Sequence, residues 1–446
     1  MTASGGVTHA ARMLLRPFTL TAVVFFTVSG GPYGLEPVLN LAGPRIALLL
    51  ILVTPLLWSV PAILMVMELG GMMPRNGGYY QWVKSGLGPR WGFFEGWWTL
   101  LFMFVDLAIY PVLFVQYASF FFPAIAAWRY PVCLAMVWMG AGLNLLGILP
   151  VGRSSVAFGA AVVLPFAVLY AFAFRNGISL PLPAAGAPPA ASFGMGLVAV
   201  MWNYLGWDNA STFAEEVDRP LRSYLVAIII AFVLIVSMYA LTLLATVESG
   251  MDPATLEREG YPSLGFHVGG ARLAGLLCLG GIASAAGLFI SIFLSVSRLP
   301  KAMADDGFLP ARLRRMNPAR NVPTASIILC AALVSVMVAW EFEDLLIMDV
   351  ILYGCALFLE FLSLIALRRS LPAAPRPFRI PLSRGGLIVM TVVPFACYLA
   401  ALAALALDPS TRAGALLTGI GAVASAPFAW MLASRSAPPG VKKRAT

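Results

Sequence analysis

The chain has 446 residues, of which 60% are apolar, 12% aromatic and only 11% charged, where a soluble domain carries about 25% charged residues. That balance excludes a water-soluble enzyme or binding module and indicates an all-α polytopic membrane protein. The net charge of +9 does not argue for nucleic acid, because its placement follows the loops between apolar runs.

Twelve runs near the ~20 residues a bilayer requires predict transmembrane helices over 17 to 41, 45 to 70, 93 to 121, 131 to 149, 154 to 174, 192 to 214, 221 to 247, 271 to 299, 323 to 341, 345 to 367, 386 to 407 and 412 to 433. Residues 1–16 carry Arg12 and Arg16 but no short apolar core with a small-residue cleavage site, so they read as a tail before the first span rather than a removed leader. With both termini on one side, six of the 29 Lys and Arg residues fall opposite (Arg45, Arg129, Arg175, Arg258, Arg272 and Arg412) and 23 fall with the termini. The positive-inside rule then places the termini in the cytoplasm, with the 434–446 tail there too. The same rule accounts for Arg312, Arg314, Arg315 and Arg320, and for Arg368, Arg369, Arg376, Arg379 and Arg384, as topology determinants in contact with headgroups.

The first run is interrupted by Ser29-Gly30-Gly31-Pro32-Tyr33-Gly34, followed by Leu35-Glu36. Each glycine costs about 1 kcal/mol in a helix interior, and Pro32 lacks an N–H and clashes with the preceding turn, so the run is expected to divide into two half-helices. Backbone unwound in the hydrocarbon survives only where protein, water or a ligand supplies its hydrogen bonds, which makes such a break a candidate binding site. The second span ends in Glu68 and a glycine-rich inner loop, Gly70 to Tyr80, with a short amphipathic stretch to Lys84; Glu68 is expected to pair with Arg75 or to accept loop N–H groups.

The third run carries Glu95 near its inner end and Asp106 at its centre. A carboxylate at the bilayer centre costs about 2.5–3.5 kcal/mol on insertion scales, so it tends to face a cavity; Tyr110, one turn on, shares its face. Spans four and five offer small residues and Pro165, and 175–191 is a Pro/Ala/Gly-rich outer linker. The sixth run then reads Met201-Trp202-Asn203-Tyr204-Leu205-Gly206-Trp207-Asp208-Asn209, polar and aromatic in the middle of an apolar helix. Two breaks five spans apart are the signature of an inverted repeat, with halves at 17–174 and 192–367, peripheral helices at 386–433, and the site between the breaks.

The five cysteines have no paired spacing, and His9 and His267 are placed in the tail and an outer loop. No metal, cofactor or disulfide framework is expected, and ion coupling falls to carboxylates.

The loop Glu68-Leu69 through Pro74, Gly77-Gly78 and Trp82, the stretch Ala214-Glu215-Glu216-Val217-Asp218-Arg219-Pro220, and Ser297-Arg298 through Ala302 to Pro310 together resemble the amino acid, polyamine and organocation transporter superfamily. Ser29 to Glu36, Trp202-Asn203 with Trp207-Asp208-Asn209, and Arg376-Pro377-Phe378-Arg379-Ile380-Pro381 are most similar to its polyamine:proton symporter branch. The resemblance implies a leucine-transporter-like 5+5 fold with discontinuous helices 1 and 6, and secondary transport by alternating access. Two departures bear on the substrate. Pro32 interrupts the backbone nest in which many relatives hold an amino acid carboxylate, and no lysine occurs between Lys84 and Lys301 to serve as a fixed cation.

The candidate binding residues are therefore Gly30, Gly31, Tyr33, Gly34, Glu36, Asp106, Tyr110, Trp202, Asn203, Trp207 and Asp208, an anionic and aromatic set suited to an ammonium. Glu36, Asp106 and Asp208 are the coupling candidates; a proton ranks ahead of sodium, for which Ser284 and Ser291 could supply hydroxyls. The expected protein is a plasma-membrane, proton-coupled symporter of polyamines or related cationic amines. A proton-coupled amino acid permease or exchanger is the runner-up, and a transport-dead sensor or structural subunit the reading of another class.

Overall fold

The computed structural model describes residues 15–178, 190–217, 220–340, 342–407 and 413–436. Both tails beyond these limits, His9, most of the 175–191 linker, Asp218, Arg219 and Arg412 lie outside the described residues.

The first apolar run divides where glycine and proline demand it. α1 (Pro17–Val28) stops before Ser29, and the helix resumes as α2 (Glu36–Thr54), which continues through a π-helical turn, Pro55–Ser59, into α3 (Val60–Met72). Inside α2, Gly43 takes a positive φ of 72° just before Pro44, and the first and second predicted spans meet there. The glycine-rich loop contains the amphipathic α4 (Gly78–Leu87), followed by α5 (Pro89–Phe121), α6 (Arg129–Leu145) and α7 (Ile148–Ala173). The sixth run also divides, into α8 (Ala190–Trp202) and a 3-10 segment, Asn209–Glu216.

Beyond it come α9 (Pro220–Ser249), α10 (Pro253–Glu259), α11 (Tyr261–Val296), α12 (Leu299–Asp305), α13 (Thr324–Met337), α14 (Phe342–Ser370), α15 (Arg384–Leu407) and α16 (Ala413–Ser436). α11 starts ten residues before the predicted eighth span, because Pro262 suits a first helical turn and the bend is deferred to Gly270, at φ 73°. His267 therefore lies in a helix rather than a loop, with Nε2 2.8 Å from the Ser249 carbonyl oxygen.

Among the described residues nine helices are long and apolar enough to cross a membrane, and three shorter apolar helices cover Pro17–Val28, Ser192–Trp202 and Thr324–Met337. Two of the short ones are short because a break cuts them. α5 and α11 bury 78% and α14 72% of their most apolar windows, against 17% for α16, so the first three form the centre. α5 packs against both α11 and α14, while α11 also packs along α7. At the periphery Leu417, Ile420 and Phe428 of α16 and Val389 and Val392 of α15 stand exposed. An apolar exterior of this kind is a lipid-facing surface, and the chain is a multi-pass membrane protein.

Candidate functional site

The first break is held open by its own hydrogen bonds. Gly30, Gly31 and Gly34 all take positive φ (67°, 106° and 98°), conformations that side-chain-bearing residues rarely adopt. The Gly30 N–H donates to the Phe25 carbonyl oxygen (3.1 Å) and the Leu35 N–H to that of Pro32 (3.0 Å). The Gly31 N–H donates to Ser29 Oγ (3.0 Å), and the Gly34 N–H to Glu36 Oε2 (2.6 Å). Four donors of the break are thus engaged within the chain, and Pro32 has none.

The second break lies against the first. Asn209 Nδ2 donates to the Thr27 carbonyl oxygen (3.4 Å), and a Cβ built on Gly206 would collide with that same oxygen. The Tyr239 hydroxyl, from α9, stands 2.6 Å from Ser29 Oγ and 2.9 Å from the Asn203 carbonyl oxygen, linking both breaks. Trp202 closes over Gly34, where an added Cβ would come 2.6 Å from its Cζ3.

Between the breaks is a cavity of about 20 Å³, close to the room one water needs. Thr27, Val28 and Ser29 line it from the first break, and Trp202, Asn203, Leu205, Gly206 and Asn209 from the second. Phe102, Asp106 and Tyr110 reach it from α5, Leu288 and Ile292 from α11, and Asp349 from α14. The Tyr110 hydroxyl donates to Asp106 Oδ1 (2.6 Å), as the i,i+4 spacing on one helix face permits, and the Trp202 side chain is hydrogen-bonded to the same carboxylate.

Of the sequence-predicted residues, Asp106, Tyr110, Trp202 and Asn203 share this cavity. Glu36 and Tyr33 stand apart from it. The Glu36 carboxylate accepts the Gly34 N–H and the Tyr117 hydroxyl (2.6 Å each), so it ties the break to α5. Tyr33 donates to the Leu277 carbonyl oxygen (2.6 Å) inside a cluster of Tyr117, Phe166 and Tyr261 rings. Trp207 and Asp208 also fall outside the lining. Asp208 accepts from the Tyr353 hydroxyl (2.9 Å), and the Glu360 and Glu95 side chains are close enough to act on it electrostatically.

The serines proposed for sodium separate: Ser291 Oγ is 3.0 Å from Ser155 Oγ, whereas Ser284 Oγ lies 2.8 Å from where a Gly30 Cβ would sit. Glu68 does not meet Arg75. Arg368 and Arg376 both ion-pair with it and the Ile380 N–H donates to it (2.9 Å), so these two arginines and the Arg376–Pro381 motif brace α3 rather than only contacting headgroups.

Sequence reasoning passed over Asp349 and Glu360 on α14, and Tyr239 and Tyr353. Each acid is a charge inside an apolar run, the same signal that singled out Asp106; the tyrosines carry no sequence signal, since buried tyrosine is ordinary in a helix core. Six buried acids, Glu36, Glu95, Asp106, Asp208, Asp349 and Glu360, have no ion pair with Lys or Arg among the described residues.

Compared with known proteins, a family profile described as amino acid permease matches residues 15–424. The chain is 33% identical over 432 residues to a polyamine transporter of Oryza sativa subsp. japonica, covering 94% of this chain and 78% of that protein. It is 35% identical over 392 residues to a probable polyamine transporter of Arabidopsis thaliana (84% of this chain, 76% of that protein). An uncharacterized transporter of Mycobacterium tuberculosis is 27% identical over 276 residues, 61% of each chain.

Proposed function

The chain belongs to the amino acid permease family, whose matched relatives are membrane transporters, and on that premise we propose that it carries polyamines or related cationic amines by proton-coupled symport. The observation that carries this reading is the charge of the cavity. Asp106 lines it beside Trp202 and Tyr110, with no Lys or Arg paired to the carboxylate among the described residues. An ammonium supplies the missing charge, and aromatic rings add roughly 0.5–2 kcal/mol of cation–π attraction where the cation lies over a face. The relatives named as polyamine transporters support the same substrate class.

An amino acid would also need a receptor for its carboxylate. Gly30, Gly31, Gly34 and Leu35 already donate within the chain, so the first break offers little to an anion, and the amino acid permease reading takes second place.

The cavity is too small for a diamine, so the cycle needs helices to part on one side at a time. On the Leu15 side the Leu15 N–H donates to the Glu216 carbonyl oxygen (3.0 Å) while Arg298 pairs with the Glu216 carboxylate (3.1 Å). On the Asn40 side Asn40 Nδ2 donates to Glu257 (2.6 Å). We read these as contacts broken alternately in twelve spans arranged as a 5+5 inverted repeat, in the plasma membrane with cytoplasmic termini. Buried acids without a Lys or Arg ion pair among the described residues, Asp208 and Glu360 among them, are what favours a proton over sodium as the coupled ion in this reading.

The test is uptake of labelled putrescine into proteoliposomes. Accumulation is expected with an acidic exterior and no sodium; uptake driven by a sodium gradient at equal pH, with none driven by a pH gradient, would make sodium the coupled ion. Absence of any flux in the presence of tight binding would leave a sensor.

A further inference from the structure

We infer that Asp349, on α14, is the carboxylate that receives the substrate's ammonium in the cavity between the breaks, with Asp106 as its fixed anionic neighbour. The inference rests on the cationic-amine reading and assigns it a residue. Asp349 is 1% exposed and lines the same cavity as Asp106, and neither of its carboxylate oxygens has a hydrogen-bond partner among the described residues.

Asp106 is differently placed. Tyr110 and Trp202 both donate to it, so its geometry is set by its own helix and by the second break, and part of its accepting capacity is used. Asp349 keeps all of its capacity. α5 packs against α14, which brings the two carboxylates close enough to act on each other electrostatically.

Two acids facing one cavity of about 20 Å³, one of them with both oxygens unpartnered, form an arrangement that suits a cation with several donors. Buried polar atoms are normally satisfied, and each exception has a reason. An ammonium brings three N–H donors and one positive charge. It can give two hydrogen bonds to Asp349 and direct its charge at Asp106, replacing like-charge repulsion by two charge-assisted contacts. A bound amine head then bridges α5 and α14. The remainder of a polyamine has to extend from this anchor into space that opens only when the helices part.

The experiment uses the purified full chain in detergent, titrated calorimetrically with putrescine and with butylamine, for wild type, Asp349→Asn and Asp349→Glu. Asp349→Asn is expected to weaken both amines by about thirtyfold or more, since it removes one partner of a buried charged hydrogen bond. Asp349→Glu, which keeps the charge, is expected to bind more tightly than Asp349→Asn. Without ligand, Asp349→Asn is expected to melt no lower than wild type, because it removes an uncompensated buried charge; a residue that only braced the fold would lower the melting temperature. Unchanged amine affinity in Asp349→Asn overturns the assignment. So does retained binding with loss of pH-driven uptake, which would make Asp349 a proton carrier. If the wild type binds neither amine, the cationic-amine reading itself falls, and this inference with it.

Discussion

Gly34 combines two constraints, a positive φ and a crowded Cβ position, as Gly30, Gly31, Gly77 and Gly206 also do. Its φ of 98° is strained for any side chain, and an added Cβ would come 2.6 Å from Trp202 Cζ3. Gly88 has nearly the same φ, 96°, with nothing within 4 Å of its Cβ position. Both Ala substitutions bear the strain of a positive φ, about 1–3 kcal/mol, but only Gly34→Ala also displaces an indole that lines the cavity. We expect Gly34→Ala to abolish uptake and Gly88→Ala to lower thermal stability while leaving uptake near wild type. Equal uptake by the two variants would show that the approach of Trp202 to the break is not required. The same pair shows what the sequence reveals at this scale. Glycine beside proline in an apolar run announces a break, but nothing local distinguishes a glycine that meets an indole from one that meets open space.

Among the elements, α3, the end of α14 and the stretch after it are joined by one acid. Glu68 is fully buried and accepts from Arg368, Arg376 and the Ile380 N–H. Removing one member of a buried ion cluster leaves the others desolvated without compensation and typically destabilises by about 3–5 kcal/mol. The exposed Lys301–Asp305 pair, at i,i+4, is worth well under about 1 kcal/mol. Glu68→Ala should therefore lower the melting temperature of the purified protein markedly and Lys301→Ala hardly at all. Similar small shifts in both would mean that the clamp contributes no more than a surface pair. The sequence placed Glu68 toward a helix end, as observed, and offered it Arg75 or loop N–H groups as partners. Proximity along the chain was the wrong guide to its cation, because the partner arginines lie some 300 positions later, Arg368 in the last turn of α14 and Arg376 in the loop beyond it.

For the whole molecule, substrate charge and membrane potential are linked. Each positive charge crossing inward gains about 2.3 kcal/mol per 100 mV, so a divalent amine should respond steeply even before a proton is added. At equal pH on both faces, an inside-negative potassium diffusion potential is expected to accelerate putrescine uptake more than that of butylamine. For a zwitterionic amino acid it can act only through the coupled ion. Uptake indifferent to potential for every amine would require a counter-ion exchange in place of symport.

The sequence alone determined that this chain is an apolar helical membrane protein, that its first and sixth runs are broken, and that Asp106 is a buried acid with Tyr110 on its face. Those properties are local: apolar length, glycine and proline within a run, and i,i+4 spacing are complete within a few turns of helix. Tertiary structure decided which acids share a cavity. Asp349 and Asp106 meet because α14 packs on α5, whereas Glu36 turns back to the Gly34 N–H and to Tyr117, and Asp208 turns toward Tyr353. Whether a buried carboxylate faces the site or its own backbone depends on the rotation of each helix about its axis, and that is set by packing between segments far apart in sequence, which no single run of residues encodes.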